Sequence, residues 1–127
     1  MIRTLTEEEC RYAMEKGDFD PSLTGGPAAA IILTQSWCPQ WHGVRNFLPE
    51  AEKRGAAFYP GGISILTVEY DTAPWERLSR EDFMSFKENR YGNREIPYIR
   101  YYRQGGFYRD GNFISLQGFL ERLGIPG

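Results

Sequence analysis

The run Ala28-Ala29-Ala30-Ile31-Ile32-Leu33-Thr34 narrows the folds open to this chain more than any other stretch. It shows no apolar–polar alternation, so both of its faces need cover. That pattern marks a central strand, usually a parallel one, in a sheet with helices on both sides. The run leads into Thr34-Gln35-Ser36-Trp37-Cys38-Pro39-Gln40-Trp41-His42, and an amphipathic helical pattern from Trp41 to Ala51 leads out. Proline suits the first helical position, because its missing N–H would be unpaired there anyway. Pro39 therefore sets Cys38 at the N-cap of a helix. The first-turn N–H groups and the helix dipole favour negative charge at that point, and a thiolate is such a charge. This is the one place where the sequence alone proposes chemistry.

The rest of the chain supplies the other elements. Ile2 to Leu5 reads as a short strand. Thr6 with Glu9 forms a capping box that opens a helix to Lys16, and Gly17 stops it. Cys10, Ala13 and Met14 share that helix's buried stripe. Asp18 to Pro27 reads as a polar connection. The helix after Cys38 turns Trp41, Val44, Phe47, Leu48 and Ala51 to one side, contains Pro49, and is expected to end at Gly55. Ile63 to Tyr70 is a second central strand. Ser79 and Asp82 open a third helix with Phe83, Phe86 and Arg90 on one side. Tyr98 to Arg103 is strongly β-prone, Gln104-Gly105-Gly106 is a tight turn, and Phe107 to Asp110 returns. Phe119, Leu120 and Leu123 give a last helix starting near Ser115. Strands separated by helices imply right-handed parallel crossovers, and the hairpin adds an antiparallel edge. The expected architecture is one α/β domain over residues 1–127, a mixed sheet covered by helices on both faces.

Composition limits the function classes. A chain of 127 residues with 41% hydrophobic and 15% aromatic content can bury a core without staples. A formal charge of −2 offers no basic field for nucleic acid. No apolar run is long enough to span a membrane. The N-terminus, Met1-Ile2-Arg3-Thr4-Leu5-Thr6-Glu7-Glu8-Glu9, is polar where a signal peptide is apolar, which points to the cytoplasm. Two distant cysteines, Cys10 and Cys38, make no disulfide framework, and with the single His42 they make no zinc site. No metal and no cofactor are expected, and the oligomeric state is open.

Trp37-Cys38 at a strand-to-helix junction, Ile96-Pro97 before the hairpin, and the element order together resemble the thioredoxin-like superfamily. Val68-Glu69-Tyr70-Asp71-Thr72-Ala73-Pro74 is similar to the segment after that superfamily's central strand, and Tyr102-Arg103-Gln104-Gly105-Gly106 to its hairpin turn. The resemblance runs from Ile2 to Leu123. It implies a thioredoxin-like fold, a cis Pro97 facing the active cysteine, and thiol–disulfide chemistry at Cys38. The chain also departs from the superfamily's pattern. The resolving cysteine of Cys-x-x-Cys is replaced by Trp41, the buried acid by Ile32, and its companion lysine by Thr67. The dithiol relay is missing as a unit. What remains is monothiol chemistry, a mixed disulfide with a protein or a low-molecular-weight thiol or disulfide.

Alternatives stand beside this reading. Cys38 is either a reactive thiolate or a residue kept for packing. His42, one helical turn after Cys38, either supports the thiolate or is a free surface side chain. Trp37, Trp41, Ile96, Pro97 and Tyr98 are candidates to line a groove for an extended peptide, which would make the protein a redox-inactive binding module. The spacing of Trp41 with Val44 and Leu48 fits a core position equally well. Arg100 falls in a strand and needs a partner, with Glu69 and Asp71 as candidates.

Overall fold

The computed structural model describes residues 1–127. Its strands are β1 (Ile2–Thr4), β2 (Ala28–Thr34), β3 (Ser64–Glu69), β4 (Tyr98–Arg103) and β5 (Gly106–Gly111). The helices are α1 (Glu7–Lys16), α2 (Pro21–Thr24), α3 (Pro39–Phe58), α4 (Arg77–Arg90) and α5 (Leu116–Arg122). They form a five-stranded sheet in the order β1-β3-β2-β4-β5. The β1, β3 and β2 strands run parallel, β4 runs antiparallel to β2, and β5 runs antiparallel to β4.

The apolar run does what its composition demands. Every residue of β2 is buried. Ala28, Ala30 and Ile32 face a core shared with α3 and α5, whereas Ala29, Ile31 and Leu33 face a second core shared with α1 and α4. Burying a Leu or Ile side chain is worth roughly 1.5–3 kcal/mol, so β2 anchors both layers.

Local signals fix most helix starts. Thr6 Oγ1 accepts from the Glu9 N–H (3.1 Å), and Glu9 Oε1 accepts from the Thr6 N–H (2.8 Å). Gly17 closes α1 with φ +88°, a conformation that favours glycine. Ser115 caps α5 by accepting from the Gly118 N–H (3.1 Å).

Several expectations are corrected. The Asp18–Pro27 connection contains α2, whose N-cap Asp20 accepts from the Ser22 N–H (2.9 Å). Gly55 does not end α3, which runs on to Phe58. A Cβ at Gly55 would lie 2.7 Å from Ile63 Cγ1, so that glycine is there for close helix–strand packing. Ser79 and Asp82 do not open α4; it starts at Arg77 with Glu76 as N-cap. Arg80 holds the segment before it by donating to Ala73 O (3.2 Å) and to Trp75 O. Arg90 is exposed and donates to Gly17 O (3.1 Å), and the buried place on that helix belongs to Lys87.

Arg100 is paired with Asp18, not with Glu69 or Asp71. Its Nη2 lies 3.2 Å from Asp18 Oδ2, and it also donates to the hydroxyls of Tyr102 (2.9 Å) and Tyr98 (3.0 Å). Its guanidinium stacks over the rings of Tyr91 (3.9 Å) and Phe107 (4.2 Å). Pairing with Ile31 turns Arg100 to the α1/α4 face, beside the end of α1, while Asp71 serves the loop after β2.

Candidate functional site

Cys38 is the N-cap of α3 and Pro39 its first residue, as the proline rule requires. The Cys38 side chain makes no capping bond. Its Sγ instead donates to Ile96 O at 3.6 Å, and only 5% of the residue is exposed. The Ile96–Pro97 peptide is cis. The strand-to-helix loop and the loop before β4 thus meet at the sulfur.

Each of these loops is held by a local clamp. Asp71 grips Ser36 twice, accepting from its N–H (2.8 Å) and its hydroxyl (2.7 Å). His42 Nε2 lies 2.7 Å from Ser36 O, which fixes it as the donor to that carbonyl. His42 therefore braces the loop and is not bonded to the Cys38 sulfur, contrary to the thiolate-support expectation. Gln35 accepts from Trp37 Nε1 (2.7 Å) and donates to the Tyr70 hydroxyl (3.3 Å). Across the groove, Lys87 Nζ donates to Glu95 O (2.7 Å), and the Glu95 N–H donates to Asn93 Oδ1 (3.0 Å). Asn112 donates to Pro97 O (3.0 Å) and exchanges amide bonds with Asn93.

The expected aromatic groove is only partly there. Trp37 is 63% exposed beside Cys38. Trp41 is buried with Val44 and Leu48, because its i, i+3, i+7 spacing points it inward, and its indole donates to Glu69 Oε2 (2.8 Å). Its outer side borders a cavity of about 340 Å³ between β1, α3 and the loop after β3, a different place from Pro97. Tyr98 is also buried, on the α1/α4 face, with its hydroxyl donating to Asp110 Oδ2 (2.8 Å). Ile96 stays half buried at the groove and Pro97 is buried.

Sequence reasoning missed Asp71, Lys87 and Phe113. Phe113 is exposed near Gly43, the fifth residue of α3, where a Cβ would meet its ring at 3.6 Å. Lys87 had a signal, since it follows Phe83 by one helical turn on the buried stripe. Asp71 had none, because its partner Ser36 is distant in the chain.

Solved structures share this fold over nearly their whole length. The chain superposes on thioredoxin O2 of Arabidopsis thaliana with a TM-score of 0.63, at 13% identity, over 96% of this chain and 93% of that one. Thioredoxin O1 of the same plant gives 0.61 at 15% identity, over 95% and 96%. The oxidised thioredoxin of Plasmodium falciparum gives 0.59 at 10% identity, over 98% and 96%. The fold is thioredoxin-like. No protein-family model and no curated protein sequence matches the chain. At these identities the likeness fixes the fold and leaves the chemistry to the residues.

Within this thioredoxin-like frame the supporting groups are plain. Ile32, in the same core as Cys38, is fully buried and aliphatic, and its partner on β3 is Thr67. Cys10 lies in the α1/α4 core and Cys38 in the α3/α5 core, so the sheet separates the two thiols. Burial pushes the Cys10 thiol well above its ordinary range, with Glu9 and Glu7 adding to the effect. No group of three or more His, Cys, Asp or Glu side chains is placed to hold a metal ion, and no helix is long and apolar enough to cross a membrane.

Proposed function

We propose that the protein performs single-thiol exchange through Cys38, in the cytoplasm, on protein or low-molecular-weight disulfides. The observation that carries this reading is the sulfur's position: at the start of α3, against Ile96 O and beside Pro97, with Trp41 filling the place of a second thiol. The Cys38 thiolate attacks one sulfur of a disulfide R–S–S–R′. A Cys38–S–S–R bond forms, and R′–S⁻ leaves and takes up a proton. With no resolving thiol on its side of the sheet, Cys38 is freed by an outside thiol R″–SH, whose thiolate displaces it and departs as R–S–S–R″. The thiol must first leave Ile96 O, so approach of the disulfide and release of that bond go together.

The test uses the natural chain with glutathione disulfide. Mass analysis after digestion is expected to show one glutathione on Cys38, none on Cys10, and complete release by reduced glutathione. Labelling of neither thiol until the protein is unfolded would defeat the proposal. The near-complete burial of Cys38 favours a second reading, a redox-inactive module that receives an extended peptide between Trp37, Ile96 and Phe113. That reading gains if Cys38→Ser keeps full partner binding and fails if binding is lost.

A further inference from the structure

Lys87 is fully buried in α4 and bonds to a single acceptor, the carbonyl of Glu95. That carbonyl belongs to the same peptide unit as the Ile96 N–H. The one cis bond in the chain is the next one, Ile96–Pro97, so the Glu95–Ile96 peptide is trans. In a trans peptide the C=O and N–H point in opposite directions. With the carbonyl turned inward to Lys87, the Ile96 N–H points outward, and Ile96 is half exposed at the groove. No protein acceptor takes this N–H, whereas its neighbours Glu95 N–H, Ile96 O and Pro97 O are all engaged.

We propose that Lys87 is a positioning residue of the Cys38 site: its buried ammonium grips and polarises the Glu95–Ile96 peptide, which presents the Ile96 N–H to the backbone of a peptide disulfide. A charge-assisted bond to the carbonyl is about twice as strong as a neutral one, and hydrogen bonds at the two ends of a polarised peptide strengthen each other. This rests on the exchange reading of Cys38 for its substrate, though not for the state of the peptide itself. Deprotonation of Lys87 leaves a weaker, neutral donor, so the grip loosens as pH rises.

Burial lowers the Lys87 pKa to about 8, while Glu88 on its own helix and Glu95 in the loop oppose that shift. The loop also brings Tyr91, which stacks on Tyr98. From β4 comes Tyr98, whose ring lies 5.8 Å from Nζ and whose hydroxyl is held by Asp110 and Arg100. The α1 helix brings Cys10 into the same core.

The first experiment follows the Glu95 carbonyl carbon and the Ile96 amide nitrogen through a pH titration of the natural protein, by direct carbon detection. Both are expected to shift with one midpoint near that of Lys87, and to stay flat in Lys87→Arg, whose charge persists, and in Lys87→Met. The second compares the rate of mixed-disulfide formation with a disulfide-bonded peptide and with a small aromatic disulfide that has no backbone. Lys87→Met is expected to slow the peptide about tenfold and leave the aromatic reagent within about twofold, while Lys87→Arg restores the peptide rate. The peptide-to-reagent ratio of the natural protein is expected to fall as Lys87 titrates. A flat peptide resonance in the natural protein overturns the proposal, as does equal slowing of both reagents in Lys87→Met. If Cys38 reacts with neither reagent, the exchange reading falls, and the carbon titration still decides whether Lys87 controls the peptide.

Discussion

On the α3/α5 side of the sheet, Ala28, Ala30 and Ile32 meet Trp41, Val44 and Leu48. The Trp41 indole reaches past this apolar layer to Glu69 at the rim. On the α1/α4 side, Ala29, Ile31 and Leu33 share their layer with two buried cations, Arg100 and Lys87. The first side is held by shape and transfer free energy. The second is also held by directed bonds: Arg100 reaches Asp18 and two tyrosine hydroxyls, and Lys87 reaches a loop carbonyl. An apolar layer tolerates rearrangement by degrees, whereas a buried charge that loses its partner is left without compensation. Cys38 stands on the apolar side, and the loop against which its sulfur rests is fastened by a cation from the other.

The largest effect expected is from Arg100→Ala. It removes the guanidinium between Tyr91 and Phe107 and leaves Asp18 without its cation, so denaturant unfolding should show a loss of about 4 kcal/mol. Arg100→Met keeps much of the volume and discards the charge. A loss under about 2 kcal/mol there would show that filling the space matters more than the ion pair. On the opposite face, Leu48→Ala is expected to cost about 3 kcal/mol through lost burial and a residual cavity. That loss should not change with pH between mildly acidic and alkaline buffers. If it did, the contrast between an apolar and an ionic face would break.

These two faces were unequally legible in the sequence. The apolar side follows from short-range rules: the unbroken β2 run, Pro39 after Cys38, and the Trp41–Val44–Leu48 stripe. The ionic side depends on partners far apart in the chain, such as Arg100 with Asp18 and Ser36 with Asp71. Charge at a position shows that a partner is needed and does not show which. Glu69 and Asp71 answered the need of Arg100 by charge alone, yet strand register turned the arginine to Asp18, just past the C-terminal end of α1. Tyr98 misled for the same reason, because period-two alternation placed it under the sheet and not at the groove. Gly55 misled because glycine signals both a helix end and a close contact, and Ile63 decides between them.

Titration of stability gives a finer contrast. The folded pKa of Lys87 is about 8 against an ordinary 10.5, so between those values the unfolded chain binds more protons. Lys87 therefore adds stability as pH rises across that window, up to about 3 kcal/mol for the full shift, and the difference between the natural chain and Lys87→Met isolates it from Cys10 and the buried tyrosines, whose raised pKa values pull the other way. Lys87→Met should lack this contribution. It should also be at least as stable as the natural protein at neutral pH, since the cost of burying an ammonium is gone. The natural chain would then be giving up stability to keep a cation under the loop, which is what a positioning role requires and a purely structural role does not.

The smallest effect concerns α1, which covers the ionic face. Thr6→Ala removes the acceptor for the Glu9 N–H, and about 1 kcal/mol should be lost in thermal or denaturant unfolding. Glu9 gives the same helix an acid dependence. Its carboxyl is held at about 2, chiefly by hydrogen bonds from Arg3, against an ordinary 4.5. The unfolded chain thus takes up the proton first as pH falls. The stabilisation is complete above the ordinary value and is lost as pH drops toward the folded one. Because this pair lies near the surface, its share is about 1 kcal/mol and weakens with salt. Arg3→Ala should shrink the acid dependence to the share that the Thr6 N–H still gives Glu9, and leave the alkaline contribution of Lys87 intact. If both disappeared together, α1 and α4 would be titrating as one unit, and the ionic face would have to be treated as a single coupled network.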